Sequence, residues 1–142
     1  MPIRLEIVTI ERIVVSEDVD YVSAPGIDGI IGILPKHEPL LTALAIGELH
    51  YRKGGAETSY AIGGGFMEVR PDKVTVLADV AESADEIDET RAEAARKRAQ
   101  ELMQQKVQSG DEGIQAALLE QTVRRAELRL KVARRRRGGT QE

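Results

Sequence analysis

The sequence predicts an all-β sandwich N-terminal domain followed by an antiparallel α-helical hairpin. Two observations support this fold class. The first 84 residues divide into short segments of alternating polar and apolar residues with Gly and Pro between them, a pattern typical of a sandwich. Residues 83–137 contain no proline and are rich in Ala, Glu, Arg, Gln and Leu, which favours helix. We therefore expect a β-sandwich domain at 1–84 and a helix-turn-helix arm at 85–142.

The strands of the first domain follow one another closely. Ile3, Leu5 and Ile7 occupy every second position, which is the period of a half-buried strand. Gly54-Gly55 predicts a tight hairpin turn. Gly63-Gly64-Gly65 predicts a glycine bend where backbones pack closely, since the Gly-Lys-Ser/Thr ending of a phosphate loop is missing. Further strand segments are expected at about 12–16, 19–24, 30–34, 41–45, 47–53, 57–62, 66–70 and 73–78.

The second domain divides into two helices, expected at about 86–107 and 114–136, with a glycine-containing break at 109–113. A short connection makes such helices antiparallel neighbours. The helix start is indicated by a capping residue three positions before an acidic one, either Ser83 with Glu86 or Asp85 with Asp88.

The apolar stripes of the two helices are small and rich in alanine. Such a seam buries little surface, so we expect the hairpin to depend on the sandwich, a ligand or another protein for its stability. The stripe residues are Ala92, Ala95, Ala99, Leu102 and Met103 on the first helix and Ala116, Leu119, Val123, Ala126, Leu130 and Ala133 on the second.

Composition excludes several classes of function. The chain has no cysteine, which removes disulfides, thiolate nucleophiles and sulfur-ligated zinc. Its two histidines, His37 and His50, fall in different segments, so we predict no catalytic residue and no metal site. With 3% aromatic residues, platforms for stacking nucleic acid bases are not expected. No apolar run approaches the roughly 18 residues that span a bilayer, and the N-terminus does not resemble a signal peptide.

Charge is distributed unevenly along the chain. Residues 1–84 contain 7 basic and 13 acidic residues, whereas 124–137 contain eight basic residues and one acid, Glu127. The basic end predicts an acidic partner, with Arg124, Arg125 and Lys131 on the same face. One alternative is a favourable interaction with the helix dipole. Another is binding to anionic lipid or nucleic acid, which the overall pI of about 5.3 does not favour. The cluster that ends the second helix is Arg134, Arg135, Arg136 and Arg137.

Three motifs carry a resemblance to a known family. They are G-I-L-P-K-H-E-P-L-L-T at 32–42, I-G-G-G-F-M-E-V-R-P-D-K-V-T-V-L-A at 62–78 and I-D-E-T-R-A at 87–92. In this order they resemble the epsilon subunits of bacterial F-type ATP synthases, over the whole chain. The resemblance implies a non-catalytic central-stalk subunit, peripheral on the cytoplasmic face of the plasma membrane and without membrane insertion or a nucleic acid partner.

The resemblance also implies the partners. The sandwich would bind the gamma subunit and the c-ring, and the arm would fold down or extend towards the catalytic alpha and beta subunits and hinder ATP hydrolysis. The basic cluster at 134–137 would then pair with an acidic segment of the catalytic beta subunits. His37 and Lys36 lie in the loop that relatives place near the c-ring, although a histidine between prolines is also typical of a turn residue. Lys36 stands where relatives have glycine, and Ile30 where an acid is frequent, so different contact chemistry is expected.

The I-D-E-T-R-A segment resembles the motif by which some bacterial epsilon subunits bind ATP without hydrolysing it. ATP would act as a regulatory ligand, and no cofactor is required. The arginines would surround the triphosphate, Asp88 would accept hydrogen bonds from the base or ribose, and Ala92 would leave room for the ligand. The alternative is a solvated face with weak intrahelical ion pairs. Leu118 replaces an arginine of some ATP binders, which lowers the expected affinity. The expected ligand-binding residues are Asp88, Arg91, Ala92, Arg98, Arg125 and Arg129.

Two further hypotheses use the same helices. The chain can be a stand-alone coiled-coil adaptor, or a nucleotide-sensing module that acts on another enzyme. Both explain the hairpin but leave the motifs at 32–42 and 62–78 without a role.

Overall fold

The computed structural model describes the backbone of residues 2–108 and 114–139 and the side chains of residues 2–105 and 116–134. The chain divides into two units, Met1–Ser83 and Ala84–Glu142. The first is made of strands and the second of helices, so the predicted fold class is confirmed. The expected break at 109–113 lies outside the described residues.

The first unit is a sheet of eight strands within the described residues. They are β1 (Ile3–Val8), β2 (Ile13–Val19), β3 (Tyr21–Gly26), β4 (Gly29–Ile33), β5 (Leu40–Lys53), β6 (Ala56–Val69), β7 (Lys73–Ala78) and β8 (Ala81–Ser83). Their order is β2-β1-β7-β6-β5-β3-β4, with β8 paired to β6. The paired strands run antiparallel, except for β1 and β7, which are parallel.

Strands β5 and β6 form a long hairpin that both layers of the sandwich share. They keep one register from Leu40 opposite Val69 to Lys53 opposite Ala56. The C-terminal half of β6 pairs with β7, and its N-terminal half pairs with β8. The sheet therefore turns over on itself along this hairpin, and the buried residues of both halves meet in one core. That core includes Ile3, Leu5, Ile7, Val22, Leu49, Ile62, Met67, Val74 and Val76.

The hairpin turn is the predicted one, but its strands are longer than expected. Gly54 and Gly55 have φ of 58° and 83°, as a two-residue type I′ turn requires. The segments predicted at 41–45 and 47–53 are one strand, and so are those at 57–62 and 66–70. The intervening glycines do not end the strands. Strand β8 was not predicted, because three residues are too few to show a period.

The glycine run lies inside β6, where the chain passes from β7 to β8 alongside it. The Gly63 N–H donates a hydrogen bond to the Val80 carbonyl at 2.9 Å, and the Asp79 N–H donates one to the Gly64 carbonyl at 3.0 Å. A Cβ atom on Gly65 would lie 2.0 Å from the carbonyl oxygen of Leu77. The run therefore allows the close backbone approach that was predicted, but within a strand rather than between strands.

The second unit begins with a short 3₁₀ helix, Ala84–Glu86, and continues with α1 (Glu89–Gln108) and α2 (Ile114–Gly139). Helix α1 starts three residues later than predicted because Asp88 is its cap: Oδ1 accepts a hydrogen bond from the Arg91 N–H at 3.2 Å. Helix α2 packs against α1 and the 3₁₀ helix. Neither α1 nor α2, as far as the structure describes them, contains an apolar stretch of the length that a bilayer-spanning helix needs.

The seam between the helices is as poor in large side chains as predicted. Its fully or nearly fully buried members are mostly alanine: Ala92, Ala99, Ala126, Leu130 and Ala133. Leu102 is exposed, contrary to the prediction, and Val132 is buried although the heptad pattern did not include it. The small side chains let the helices approach each other but bury little apolar area.

We expect Gly65→Ala to destabilise the first unit by about 3 kcal/mol, because the methyl group would overlap the Leu77 carbonyl and an L-residue is strained at this positive φ. Urea unfolding followed by circular dichroism measures the loss. The control is Gly54→Ala, which has a positive φ but open space around the new Cβ, and should cost about 1 kcal/mol. Equal losses in the two variants would contradict the packing argument.

Candidate functional site

A row of apolar side chains crosses the outer face of the sandwich. Strand register places Ala43 opposite Phe66, Phe66 opposite Leu77, Leu77 opposite Val8 and Val8 opposite Ile13. These five residues, on β5, β6, β7, β1 and β2, are called the apolar row below. Phe66, Leu77 and Ile13 are 58%, 56% and 66% exposed. Because neighbouring strands are about 4.8 Å apart, the row is roughly 19 Å long.

Two isoleucines extend the apolar row at its ends. The Ile27 N–H donates a hydrogen bond to the Ala43 carbonyl at 3.0 Å, which places Ile27 beside the β5 end of the row. Ile10 lies in the turn between β1 and β2 and is fully exposed. Scattered apolar residues are normal on a surface, whereas contiguous exposed apolar patches are typical of binding sites.

Two ion pairs involve charged residues on β1, β6 and β7, strands that also carry the apolar row. Lys73 Nζ lies 3.2 Å from Glu6 Oε2, and Arg70 Nε lies 3.2 Å from Glu68 Oε1. These charges are compensated within the sandwich, so a partner is not needed to neutralise them. The apolar row is the part of this face that gains most from being covered.

Sequence analysis did not identify the apolar row. Its members come from segments far apart in the chain, and only the strand pairing shows that they are neighbours. A partial signal was present, because Val8 and Leu77 occupy positions at which the alternation of β1 and β7 predicts polar side chains. Apolar residues at such positions near strand ends are the pattern that would have indicated an interface.

The loop that follows β4 contains the two residues predicted to contact a partner, Lys36 and His37. The Lys36 N–H donates a hydrogen bond to the Pro71 carbonyl at 2.8 Å, and the His37 N–H donates one to the Leu34 carbonyl at 3.2 Å. The Nδ1 atom of His37 lies 2.7 Å from the Glu38 carbonyl oxygen. The imidazole therefore contacts local backbone, as a turn residue does, while Lys36 is exposed.

Helix geometry places the four predicted arginines on one face of the hairpin. Each helical residue turns about 100°, and Arg91 and Arg98 each come one position before a buried alanine of α1. Arg125 and Arg129 each come one position before a buried residue of α2. In an antiparallel pair of helices, residues that directly precede a buried position lie on the same side of the hairpin, whichever helix they belong to. We call this side the arginine face.

Two other predicted ligand residues lie at the start of α1. Asp88 is exposed, but its carboxylate caps α1 and its carbonyl accepts a hydrogen bond from the Ala92 N–H at 3.0 Å. One carboxylate oxygen is thereby engaged with the backbone. Ala92 has no exposed surface, so in this arrangement its small size serves the contact between helices. The remaining four residues of the predicted site are the arginines of the arginine face.

The opposite side of the hairpin carries a cleft of about 470 Å³. Its charged lining residues are Glu89, Glu93, Lys97 and Arg134, and none of the arginines of the arginine face lines it. Glu93 pairs with Arg96 on its own helix and lies 4.0 Å from Arg134 of α2. Arg134, predicted to contact an acidic partner, therefore has an acidic neighbour within the hairpin. The side chains of Arg135, Arg136 and Arg137 lie outside the described residues.

At the cleft, the ionised form of the Glu93 carboxylate is favoured, and this supports its ion pair with Arg96. A hydrogen bond from Arg96, with the nearby cations, holds the pKa of Glu93 below its usual range. The Glu93–Arg96 pair therefore contributes to stability at neutral pH, and this contribution is lost as pH falls through the lowered pKa.

Within the sandwich, burial raises the pKa of Tyr51, whose hydroxyl donates a hydrogen bond to Glu17 at 3.1 Å. Among the described residues, no group of His, Asp and Glu is placed to hold a metal ion.

Comparison with known families covers both units of the chain. Residues 2–84 match the family described as ATP synthase, Delta/Epsilon chain, beta-sandwich domain. Residues 85–134 match the family described as ATP synthase, Delta/Epsilon chain, long alpha-helix domain. The boundary between the two matches lies one residue from the boundary between the two structural units.

Two epsilon chains of bacteria align with this chain along almost their whole length. The ATP synthase epsilon chain of Herpetosiphon aurantiacus is 59% identical over 137 residues, which are 96% of this chain and 98% of the relative. That of Dehalococcoides mccartyi is 54% identical, with 95% and 94% covered. A chain in the cryo-EM structure of the Euglena gracilis mitochondrial ATP synthase has a TM-score of 0.78 at 24% identity, covering 93% of this chain and 81% of that one. At this identity the likeness concerns the fold alone.

Proposed function

The chain belongs to the epsilon-chain family of F-type ATP synthases, and we propose that it is a non-catalytic central-stalk subunit that couples c-ring rotation to the catalytic sector. The family resemblance predicted from the motifs at 32–42 and 62–78 is confirmed by these matches. A free adaptor or a sensor for another enzyme would leave the sandwich without a role. The observation that best supports the stalk function is the apolar row, because a central-stalk subunit needs a permanent docking surface.

The apolar row is the proposed contact with the gamma subunit. Its exposed members are large apolar side chains, so burial of apolar area would supply most of the binding free energy. Covering three half-exposed large side chains gains several kcal/mol before the costs of association. Binding of this kind changes little with salt, since salt screens charges and not apolar contacts.

The loop with Lys36 and His37 is the proposed contact with the c-ring. This position makes the subunit peripheral at the cytoplasmic face of the bacterial plasma membrane. The apolar row and the loop belong to one rigid sandwich, so a torque on the ring would be transmitted to gamma through a packed core.

The helical hairpin is the proposed regulatory arm, which inhibits ATP hydrolysis when it extends towards the catalytic alpha and beta subunits. Its seam consists mainly of alanine, so little apolar area resists opening. Arg134 is close to Glu93 in the closed hairpin, and opening would exchange this intramolecular neighbour for an acidic surface on the beta subunits. The other arginines of the cluster, at 135–137, would join that contact.

The arginine face is the proposed site for ATP as a regulatory ligand, without hydrolysis. Four guanidinium groups from two helices can bind triphosphate oxygens only while the hairpin is closed, so ATP would favour the closed arm. A ligand at ten times its dissociation constant stabilises the closed form by about 1.4 kcal/mol, roughly a tenfold shift in population. Asp88 would contribute its second carboxylate oxygen, and Ala92 would keep the helices close.

We expect Phe66→Lys to weaken binding to purified gamma at least 100-fold, because it places a charge within the apolar row. Titration calorimetry measures the affinity. Leu118→Lys is a matched control, since Leu118 is equally exposed, at 57%, but lies on α2. If both variants bind gamma as the unmodified chain does, the apolar row is not the gamma contact.

Removing residues 86–142 should leave binding to gamma intact and raise ATP hydrolysis by the purified complex several-fold, since the inhibitory arm is gone. Hydrolysis is measured in a coupled assay on complexes of equal subunit content. A truncated chain that no longer joins the complex would show that the arm, and not the sandwich alone, carries assembly.

ATP should bind the isolated chain, and Arg91→Ala should weaken this binding about tenfold, because one charge-assisted phosphate contact is lost. Calorimetry gives both affinities. Lys97→Ala removes a cation from the cleft on the opposite side of the hairpin and should change little. Absence of binding heat in the unmodified chain, or equal weakening by both variants, would argue against a nucleotide site on the arginine face.

A further inference from the structure

Strand β4 lies at the end of the sheet, and its outer edge has no neighbour among the strands that the structure describes. Such an edge offers a row of N–H and C=O groups to any extended chain, so proteins usually protect it with charged residues or proline. Strand β2, at the other end of the sheet, carries Glu17 and Asp18. The sequence of β4, G-I-I-G-I, contains neither a charged residue nor proline. We call the outer side of β4 the open edge.

Exposed apolar side chains lie beside the open edge. Ile30 is 82% exposed, and Leu34, which directly follows the strand, is 62% exposed. Between them, Ile31 is half-buried and Ile33 is buried, so the isoleucines at odd positions face the core. Free backbone groups flanked by apolar side chains are the combination by which a sheet binds an additional strand, since the backbone provides hydrogen bonds and alternate side chains provide specificity.

The pairing of β4 with β3 determines which residues of β4 can bond outward. Pro25 lies opposite Ile30 and has no N–H to donate. Residues of an antiparallel strand bond alternately to one neighbour and to the other, so the backbone groups of Ile31 point towards β3 and those of Ile30 and Gly32 point towards the open edge. A strand that binds there must therefore place its own outward-bonding residues opposite Ile30 and Gly32.

A second β4 meets this requirement. We propose that β4 pairs with β4 of a second copy of this chain, antiparallel, about a two-fold axis at Gly32. In this register Ile30 lies opposite Leu34 of the second copy, and Ile31 lies opposite Ile33. Outward-bonding residues thus meet outward-bonding residues, and apolar side chains meet apolar ones on both faces of the extended sheet.

Charges just outside β4 agree with the same register. Asp28 and Lys36 are both exposed, and the pairing brings Asp28 of each copy opposite Lys36 of the other. Moving the axis by one residue, to Ile31, keeps the alternation of hydrogen bonds but places Asp28 opposite Leu34, so both charge pairs are lost. The axis proposed above is therefore favoured by charge as well as by apolar contact.

The interface is small. It involves five strand residues from each copy and falls below the roughly 1,200 Å² of a standard stable complex, so we expect a dissociation constant in the micromolar range. Pairing would cover the open edge of a chain that is not bound to other subunits and would prevent uncontrolled addition of strands. It requires this chain alone, so its test does not depend on the proposed stalk function.

Sedimentation velocity of the full chain should show a monomer–dimer equilibrium across micromolar concentrations. Ile30→Lys should weaken the dimer at least tenfold, because it places a charge opposite an apolar side chain on each side of the axis. Ile13→Lys is the matched control, since Ile13 is 66% exposed and lies on β2, and this variant should change little. A chain that is monomeric at every concentration, or a dimer that is lost in Ile13→Lys and kept in Ile30→Lys, would overturn the proposal.

Charge reversal tests the register. Asp28→Lys and Lys36→Asp should each weaken the dimer roughly fivefold at low salt, because each variant brings like charges together at both ends of the pair. The double variant should regain the affinity of the unmodified chain, since it exchanges the two charges within each pair. A double variant as weak as the single ones would show that these residues do not face each other and that the proposed register is wrong.

Disulfide formation tests the same register covalently. The sequence contains no cysteine, so the double variant Ile30→Cys, Leu34→Cys introduces the only two. Opposite residues of an antiparallel pair lie about 5.5 Å apart between Cα atoms, which suits a disulfide, whereas residues four apart on one strand are roughly 13 Å apart. Mild oxidation should therefore yield a covalent dimer. Its absence at concentrations where the unmodified chain is dimeric would exclude this pairing.

Discussion

The structure of the first unit depends on the constant register in which β5 pairs with β6. This hairpin crosses from one layer of the sandwich to the other, so its register fixes which residues of both layers face the core. The crossing requires backbone contact at the glycine run, where a Cβ atom on Gly65 would overlap the Leu77 carbonyl. A shift of one residue would bury Phe66 and expose Met67, and would remove both the core and the apolar row together.

Much of this architecture was predictable from local patterns, and the exceptions have a common physical cause. The alternation of β1, the Gly54-Gly55 turn and the arginine spacing are properties of neighbouring residues, so sequence alone indicates them. The apolar row and the Glu93–Arg134 pair depend on which distant segments lie side by side, which no local period records. The glycine run was assigned to a bend because glycine usually ends a strand, but here close backbone packing outweighs that tendency.

At the start of α1, packing between distant segments also competes with the local sequence pattern. Two capping patterns upstream of α1 were predicted, and the cap is a third residue, Asp88. The residues before it form a 3₁₀ helix that contacts α2, so tertiary packing decides between caps of similar strength. This assigns Asp88 a structural role as well as its proposed part in ATP binding. A ligand that uses Asp88 must share its carboxylate with the helix cap.

The two units rely on different forces, and this difference suits the proposed function, in which the sandwich stays attached while the arm moves. The sandwich presents the apolar row, and the proposed contact through it would change little with salt. The hairpin has a thin alanine seam and exposed cations, and charge contacts at a surface are weak and screened. A permanent attachment and a reversible arm can therefore coexist in one chain. A change in ionic strength or in ligand concentration would alter the contacts of the arm without weakening the attachment of the sandwich. The proposed regulation follows from this difference between the units. The free energy of nucleotide binding is large enough to shift the hairpin between its two forms but not to open the sandwich.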